Sequence, residues 1–318
     1  MPPRGVEILD WLTASVDPPY SVLSHGEDLD GLVSAALIYA ALGGEVSMRF
    51  ESPDRAQRSR KSFHVVADLP PPAGGSLILF DHHQSNVDLA RERVKIAILD
   101  PKAPSAASVI WRELSGRIDV PELEGLVELT SKVDSGDMGF HAAAFTSAVK
   151  RMFWTSKRDQ VLSSIVRSLL EFRPEREEEL LEIPEVKRVW AEVERVNSEE
   201  IGWISSLPSR VGDSGPDGLV AVVDARRIPG YLSPLIHQAL RDRVDLVITL
   251  GRWRGNDSRV SLRSRRGGPI DALEIARSFG GGGHPNAAGF TLLERDLPRL
   301  LEIVRSRSNR VVFLSPQP

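Results

Sequence analysis

The chain has no cysteine in its 318 residues, so it can form neither a disulfide scaffold nor a metal site made of thiolates. It also has no apolar run long enough to span a membrane, and its first residues do not resemble a secretory signal. A net charge of −4 is not the strongly basic balance expected of a general nucleic-acid binder. These absences favour a soluble, cytoplasmic protein that has no membrane contact.

The first half of the chain alternates between the hydrophobic periodicities of strands and of helices. Short β-rich segments lie at residues 20–24, 63–68, 76–80 and 95–100. Helical patterns lie at residues 31–42, 104–115 and 121–133. Such alternation predicts an α/β domain in which helices cover a parallel sheet.

The rest of the chain predicts a helical connection followed by a second α/β domain. Residues 158–205 have a helical pattern that is interrupted at Pro174 and Pro184. A segment rich in Gly, Ser, Pro and Asp, residues 211–218, precedes strands predicted at 219–225, 246–252, 258–264 and 310–314 and helices predicted at 233–241, 270–279 and 296–306. We therefore divide the chain into a first domain (1–183), a long helical linker (184–210) and a smaller second domain (211–318).

A carboxylate and two imidazoles follow directly on an apolar strand pattern. Residues 76–80 have the sequence SLILF, and Asp81, His82 and His83 come next. In open α/β folds the carboxyl ends of the strands form the edge at which ligands bind. These side chains are therefore candidates for metal binding or proton transfer, although two neighbouring histidines can also be an accidental surface pair.

Other predicted strand and helix ends carry the same residue types. Each of them has an ordinary alternative interpretation, because Asp commonly closes a turn or caps a helix. Together with His82 they form a candidate set of metal ligands: His25, Asp28, Asp30, Asp68 and Asp134, with Asp137 as an alternative to Asp134. Oxygen and imidazole ligands without thiolates suit Mn²⁺ or Mg²⁺. The set is large enough for two ions, the usual arrangement for phosphoester hydrolysis.

The second domain contains a run of four glycines, residues 280–283, followed by His284 and Asn286. Consecutive glycines adopt backbone conformations that other residues cannot, and their N–H groups can form a nest for an anion. We therefore expect Gly281, Gly282 and Gly283, with His284 at the rim, to bind substrate. Arg263, on a predicted strand, is placed to bind a phosphate through a bidentate contact.

These segments together resemble the DHH phosphoesterase superfamily, and the glycine-rich segment resembles its associated domain of the GGGH type. The superfamily includes RecJ-type exonucleases, nanoRNases with pAp phosphatase activity, cyclic-dinucleotide phosphodiesterases and family II pyrophosphatases. The last of these pair the first domain with a different partner domain, which disfavours them. The resemblance implies an active site in the cleft between the two domains.

The resemblance also implies a role for each candidate residue. His25 and Asp28 would bind one metal ion, while Asp30, His82 and Asp134 would bind the other, with Asp68 bridging the two. His83 would contact a phosphate oxygen or assist the leaving group, and Asp81 would orient an imidazole. Two residues, including Glu27, separate His25 from Asp28, and Glu27 could replace one of the expected contacts. Arg263, His284 and Asn286 would hold the terminal phosphate and the next nucleotide.

The expected function is a Mn²⁺-dependent phosphodiesterase or exonuclease, with Mg²⁺ as a possible substitute, that acts on single-stranded or short oligonucleotides. Hydrolysis of pAp or of a cyclic dinucleotide such as c-di-AMP is a close alternative that no residue pattern separates from it. A replication or repair scaffold that binds protein partners belongs to another class. Scaffold relatives lose metal ligands, whereas this chain keeps the whole candidate set. A homodimer and a replication or repair partner are further possibilities.

Overall fold

A computed structural model describes residues 6–212 and 218–316. The chain start, where no secretory signal is expected, and residues 213–217 of the segment predicted to open the second domain lie outside the described residues. The chain divides into two compact units. The first contains the residues up to Asp137 together with Ala148–Trp190, and the second contains Met138–Ser147 and the residues from Ala191 onward. In this division the predicted linker, residues 184–210, is shared between the two units.

The first unit is built on a parallel sheet of five strands, β1 (Tyr20–His25), β2 (Val46–Glu51), β3 (Phe63–Ala67), β4 (Ser76–Asp81) and β5 (Val94–Leu99). The strand order is β2-β1-β3-β4-β5, and every neighbouring pair is parallel. Strands β3 and β4 are buried along almost their whole length, as expected for apolar strands that helices cover on both faces. The predicted parallel α/β domain is confirmed.

Among the described residues of this unit lie all or part of these α-helices: α1 (Val6–Ser15), α2 (Leu29–Ala41), α3 (Pro53–Arg58), α4 (Val87–Arg93), α5 (Ala106–Leu114), α6 (Leu123–Asp134), α7 (Phe140–Phe153), α8 (Arg158–Phe172), α9 (Glu177–Leu180) and α10 (Pro184–Val196). The second unit takes α7 up to Ser147 and the residues of α10 after Trp190. Helix α2 is buried on nearly its whole circumference because its sequence, LDGLVSAALIYAA, is apolar on every side.

The second unit contains a mixed sheet of six strands, β6 (Leu219–Ala225), β7 (Leu246–Arg252), β8 (Ser258–Ser264), β9 (Gly282–His284), β10 (Ala287–Leu292) and β11 (Arg310–Leu314). Their order is β11-β6-β7-β8-β10-β9. The first three strands in this order are parallel, and the last four pair in antiparallel fashion, with β10 between β8 and β9. The remaining helices are α11 (Ser198–Val211), α12 (Ser233–Leu240), α13 (Ala272–Arg277) and α14 (Leu297–Arg307).

The predicted long connecting helix is instead two helices, α10 and α11, that meet at Asn197. This residue leaves helical geometry at φ −123° and ψ 29°, and its side-chain oxygen accepts a hydrogen bond of 2.8 Å from the Tyr231 hydroxyl. The tertiary hydrogen bond fixes the break. Within residues 6–212 and 218–316, no helix is both long enough and apolar enough to cross a membrane.

The turn between β1 and α2 is tightly packed around Gly31. A Cβ atom on Gly31 would lie 2.2 Å from the carbonyl oxygen of His25 and 2.5 Å from the His25 Cβ. Ser24 Oγ also donates a hydrogen bond of 2.6 Å to the Gly31 carbonyl. Because the obstructing atoms are mainly backbone, a side chain at position 31 can be accommodated only if the turn opens.

We expect Gly31→Ala to destabilise the protein by about 1–3 kcal/mol, the usual cost of overpacking. Gly202→Ala is the matched control, because Gly202 lies in α11 with no atom within 4 Å of its added Cβ and gains helix propensity. Thermal unfolding would show a lower Tm for Gly31→Ala and an unchanged or higher Tm for Gly202→Ala. Equal Tm values for Gly31→Ala and the wild type would contradict the packing described for this turn.

Candidate metal centre

The centre of the site is Asp68, which directly follows β3. It adopts a left-handed backbone conformation at φ 53°, which Asp tolerates better than most residues, and its side chain is buried. Its carboxylate takes part in each of three groups whose potential ligand atoms lie within 4.8 Å of one another: His25/Asp28/Asp68, Asp30/Asp68/His82 and Asp68/Asp81/His83. The strand order explains this convergence, because β1 and β3 flank the point at which the chain changes direction through the sheet.

The first group is formed by the end of β1 and the turn that follows it. His25 Nδ1 lies 2.9 Å from Asp28 Oδ2 and 3.3 Å from Asp68 Oδ2. Asp28 also caps α2 by accepting a hydrogen bond of 3.2 Å from the Gly31 amide. Glu27 Oε2 lies 3.8 Å from His25 Nε2, so the two-residue spacing adds a third carboxylate beside this imidazole.

The second group joins β4 to the start of α2. His82 Nε2 lies 3.6 Å from Asp30 Oδ2 and 3.5 Å from Asp134 Oδ2. On the other side of the ring, His82 Nδ1 lies 3.2 Å from the Ala103 carbonyl oxygen. Because a carbonyl can only accept, Nδ1 carries the proton and Nε2 faces the carboxylates in the form that binds metals.

Asp30 is both a candidate ligand and a structural anchor. Its two oxygens accept hydrogen bonds of 2.7 and 2.8 Å from the amides of Ala106 and Ala107 at the start of α5. These amides have no partner within the helix. Their hydrogen bonds fix the carboxylate at the position where it faces His82.

The structure brings Asp134 rather than Asp137 to this group. Asp134 is the last residue of α6 and lies next to His82. Asp137 is about half exposed, and its carboxylate lies 3.9 Å from Lys132 Nζ. The geometry therefore favours the first of the two alternatives that the sequence leaves open.

Asp81 holds His83 in place. The Asp81 side chain is fully buried, and its Oδ1 lies 2.9 Å from His83 Nδ1. The same oxygen accepts hydrogen bonds from the backbone amides of His82 and His83. Its other oxygen accepts a hydrogen bond of 2.6 Å from the side-chain amide of Asn86. This set of contacts suits a carboxylate that orients an imidazole. Asn86 is not apparent from the sequence, because its position five residues after Asp81 carries no recognised signal.

Burial and mutual repulsion perturb the acidic groups strongly. Burial, together with the neighbouring Asp30 carboxylate, raises the pKa of Asp68 well above its ordinary value and raises that of Asp134 to about 7. Burial also raises the pKa of Asp30, against the opposing effect of His82. So many buried carboxylates side by side favour a cation between them.

The acidic neighbours raise the pKa values of the imidazoles. Burial lowers the pKa of His25, but the Asp28 carboxylate outweighs it and leaves that pKa well above its ordinary value. For His83, burial is likewise outweighed by Asp81, which raises the pKa to about 9. Burial opposes a raised pKa in His82 too, and Asp30 and Asp134 overcome it.

The residues fit divalent metal ions. The buried Asp68 Oδ1 accepts no hydrogen bond within residues 6–212 and 218–316, although it lies 3.6 Å from His83 Nδ1 and 3.8 Å from His82 Nε2. A buried carboxylate oxygen without a hydrogen-bond donor calls for a cation. Oxygen and imidazole donors suit Mn²⁺ and Mg²⁺. His25 and Asp28 on one side of Asp68, and Asp30, His82 and Asp134 on the other, could hold one ion each.

The residues predicted to bind substrate lie in the second unit. Arg263 is in β8, opposite Ala287 of β10, and is exposed. Gly282, Gly283 and His284 form β9, which pairs with β10, and Asn286 lies in the turn between these strands. The Gly281 amide donates a hydrogen bond of 2.9 Å to the Ala276 carbonyl at the end of α13.

This hydrogen bond occupies the Gly281 amide, which is one of the N–H groups that the sequence assigns to an anion nest. The need for glycine at this position has another cause: a Cβ on Gly281 would lie 2.3 Å from the Gly289 carbonyl oxygen. The glycine run therefore permits close packing of β9 on β10. Substrate binding stays a prediction for Arg263, Gly281, Gly282, Gly283, His284 and Asn286.

We expect Asp68→Asn to lose both metal ions, because this carboxylate is common to both groups. Metal analysis after equilibration with Mn²⁺ and desalting should find two ions per wild-type chain and fewer than one in Asp68→Asn. Asp137→Asn is the matched control and should retain two. Since the substitution removes a buried carboxylate, the metal-free Asp68→Asn protein should be at least as stable as the wild type, which separates ligand loss from misfolding. Two ions in Asp68→Asn would exclude the bridging position.

The stabilisation by Mn²⁺ should increase with pH. A carboxyl group whose folded pKa is raised adds stability below its unfolded pKa and loses it as the pH rises through the folded pKa. For Asp134 that window runs from its ordinary 3.8 to about 7, so the metal-free protein loses stability across it while a bound cation restores it. The Tm increase on adding Mn²⁺ should be larger at pH 8 than at pH 6. An equal or smaller Tm increase at pH 8 would contradict the expectation that the cation takes the place of the proton on Asp134.

Known proteins resemble this chain in sequence. Residues 216–309 match the DHHA1 domain family. The bifunctional oligoribonuclease and PAP phosphatase NrnA of Thermus thermophilus is 28% identical over 255 residues, which cover 76% of this chain and 68% of that protein.

Two solved structures share the fold. The pGpG-specific phosphodiesterase PggH from Vibrio cholerae has a TM-score of 0.59 at 18% identity, covering 91% of this chain and 98% of its own. RecJ of Thermus thermophilus, in complex with Mn²⁺, has a TM-score of 0.55 at 18% identity, covering 100% of this chain and 58% of its own.

The sequence and the structure thus point to the same assignment. The first unit places the residues of the DHH motif, Asp81, His82 and His83, at the carboxyl edge of a parallel sheet, next to the three other acidic segments. Residues 216–309 of the second unit match the DHHA1 domain family. The chain thus resembles the DHH phosphoesterase superfamily in the motif residues of its first unit and in the matched domain of its second.

Proposed function

We propose that the chain is a phosphodiesterase that depends on two divalent metal ions, Mn²⁺ or Mg²⁺, and hydrolyses short or single-stranded oligonucleotides from an end. The observation that carries the proposal is the position of Asp68, which belongs to one His/Asp group with His25 and to another with His82. Two metals that share a carboxylate activate water and stabilise the charge that develops on a phosphate in phosphoester hydrolysis.

The chain's own residues position the metals, the substrate and a proton. Asp30 is held by the α5 amides and His82 by the Ala103 carbonyl, so both ligands are fixed before a substrate binds. In the metal-free protein burial lowers the pKa of His83, but Asp81 outweighs it and raises this pKa to about 9. Since Asp81 engages Nδ1, Nε2 is the atom that would donate to a phosphate oxygen or to the leaving group.

The substrate class is supported by the relatives. The name of NrnA gives oligoribonuclease and PAP phosphatase activities, and PggH is described as specific for pGpG. Both kinds of substrate are short nucleotides with few phosphates, which favours short oligonucleotides here. Hydrolysis of pAp or of c-di-AMP is the alternative within this chemistry. The Mn²⁺ in the RecJ structure supports the choice of metal, while a cytoplasmic location, a homodimer and a replication or repair partner stay predictions.

The second unit carries the residues that we expect to bind a phosphate of the substrate. Arg263, His284 and Asn286 are candidates for holding a terminal phosphate, because a guanidinium and an imidazole with an adjacent amide suit an anion. The antiparallel pairing of β8, β10 and β9 supports this role, since it places Arg263 opposite Ala287 and His284 opposite the same residue on the other side.

The test is hydrolysis, with added Mn²⁺, of a panel that contains RNA and DNA of two to five nucleotides, a single strand of about twenty nucleotides, pAp and c-di-AMP. We expect the shortest oligonucleotides to be hydrolysed with the highest kcat/KM. His83→Asn should lower kcat about 10²–10⁴-fold, the usual contribution of a positioned acid, while keeping both metal ions. The Asp81→Ala/His82→Ala double variant should be inactive, and Asp137→Asn should match the wild type.

The panel separates the candidate functions. Preference for pAp or c-di-AMP would select the corresponding alternative. Metal bound without hydrolysis of any substrate would contradict the proposed oligonucleotide activity. Full activity in the Asp81→Ala/His82→Ala variant would show that the active site does not lie at these residues.

A further inference from the structure

An exposed tryptophan follows α7 in the first unit. Trp154 is 55% exposed, more than any other large hydrophobic residue within residues 6–212 and 218–316. The guanidinium of Arg55, in α3, lies over its ring at 5.1 Å from the centroid. The pair offers a planar π surface and a positive charge, which suit a flat ligand that carries a negative charge nearby.

This pair lies in the same unit as the metal centre and is connected to it through neighbouring residues. Phe153, next to Trp154, packs on Gly26: a Cβ on Gly26 would lie 2.6 Å from Phe153 Cδ2. Gly26 directly follows His25 of the first metal group. The Phe153 and Trp154 rings meet edge to face, with centroids 5.2 Å apart. Two ring contacts therefore connect the His25 turn to the exposed indole.

The helix that carries Arg55 starts at the same edge of the sheet. Helix α3 begins at Pro53, two residues after the end of β2, and the last residue of β2, Glu51, is the register partner of His25. Because β1 and β2 are parallel, α3 starts at the carboxyl edge, where the metal ligands converge. Arg55 therefore belongs to a helix that starts at the edge of the sheet where His25 lies.

We propose that Trp154, with Arg55, binds a nucleobase of the oligonucleotide by stacking and so positions the nucleotide next to the phosphate that is cleaved. The inference rests on the proposed function, because it names a contact for that substrate. Aromatic side chains that stack with bases tolerate any sequence, since every base has a π-face, and arginine adds a cation–π contribution. A purely structural role, in which the pair only joins α3 to the end of α7, is the competing explanation.

The test compares an RNA dinucleotide with two analogues that each lack one of the two bases. Trp154→Ala should raise the KM for the complete dinucleotide about 5- to 150-fold, the range expected for the loss of one base stack, with kcat changed less than about twofold. Trp154→Phe should recover much of the affinity. The analogue that lacks the stacked base should have the same KM with the wild type and with Trp154→Ala.

Phe172→Ala is the control for loss of an exposed aromatic residue, because Phe172 is 47% exposed at the end of α8. It should behave as the wild type with every substrate. Equal KM values for Trp154→Ala and the wild type would overturn the inference. A KM increase in Trp154→Ala that is the same for all three substrates would also overturn it, because a structural role does not distinguish the bases.

A binding measurement keeps the inference testable if the proposed function fails. A dinucleotide that contains 2-aminopurine loses fluorescence when its base stacks on an indole. Quenching on mixing with the wild type and with Phe172→Ala, but not with Trp154→Ala, would support the stacking contact even without hydrolysis. Equal quenching with Trp154→Ala, or none with the wild type, would overturn it.

Discussion

The first unit collects buried carboxylates around Asp68, and the repulsion between them is the constraint on which the rest of the site depends. Asp30 and Asp68 are almost fully buried beside each other, and Asp134 shares their surroundings. Without a counter-charge this arrangement is unfavourable, which is why burial and repulsion raise the pKa values of all three groups. This electrostatic cost applies to the metal-free state, because bound divalent cations would neutralise the carboxylates and remove the repulsion between them.

The fold imposes this arrangement through contacts that have no direct part in chemistry. The amides at the start of α5 fix Asp30, and the Ala103 carbonyl fixes the His82 ring. Asp81 is held by Asn86 and by two backbone amides before it engages His83. Rigid surroundings of this kind keep metal ligands at their positions despite mutual repulsion. The proposed hydrolysis and the proposed stacking residue both rely on this preformed edge.

The sequence predicts the strands that end in charged residues, because an apolar run followed by Asp or His is a strong local pattern. Strand β2 was missed, since its sequence, VSMRFE, is that of a half-exposed edge strand with no charged ligand after it. Strands β9 and β10 were missed because glycines dominate the first and small residues the second. Their pairing depends on β8, which is a tertiary contact.

The parts of the site that the sequence does not predict also depend on tertiary contacts. Spacing alone could not decide between Asp134 and Asp137, because the decision rests on where α6 ends relative to His82. Neither Asn86 nor Trp154 follows a strand, so neither attracts notice in the sequence. Their importance comes from the side chains that meet them, Asp81 in one case and Arg55 in the other.

The most direct test of the account is a crystal structure of the Mn²⁺-soaked protein, with anomalous diffraction used to locate the manganese. The account predicts two anomalous peaks on either side of Asp68, each within bonding distance of one of its carboxylate oxygens, one near His25 and the other near His82. A single peak that Asp68 does not contact, or no peak in a folded protein soaked at saturating Mn²⁺, would contradict it.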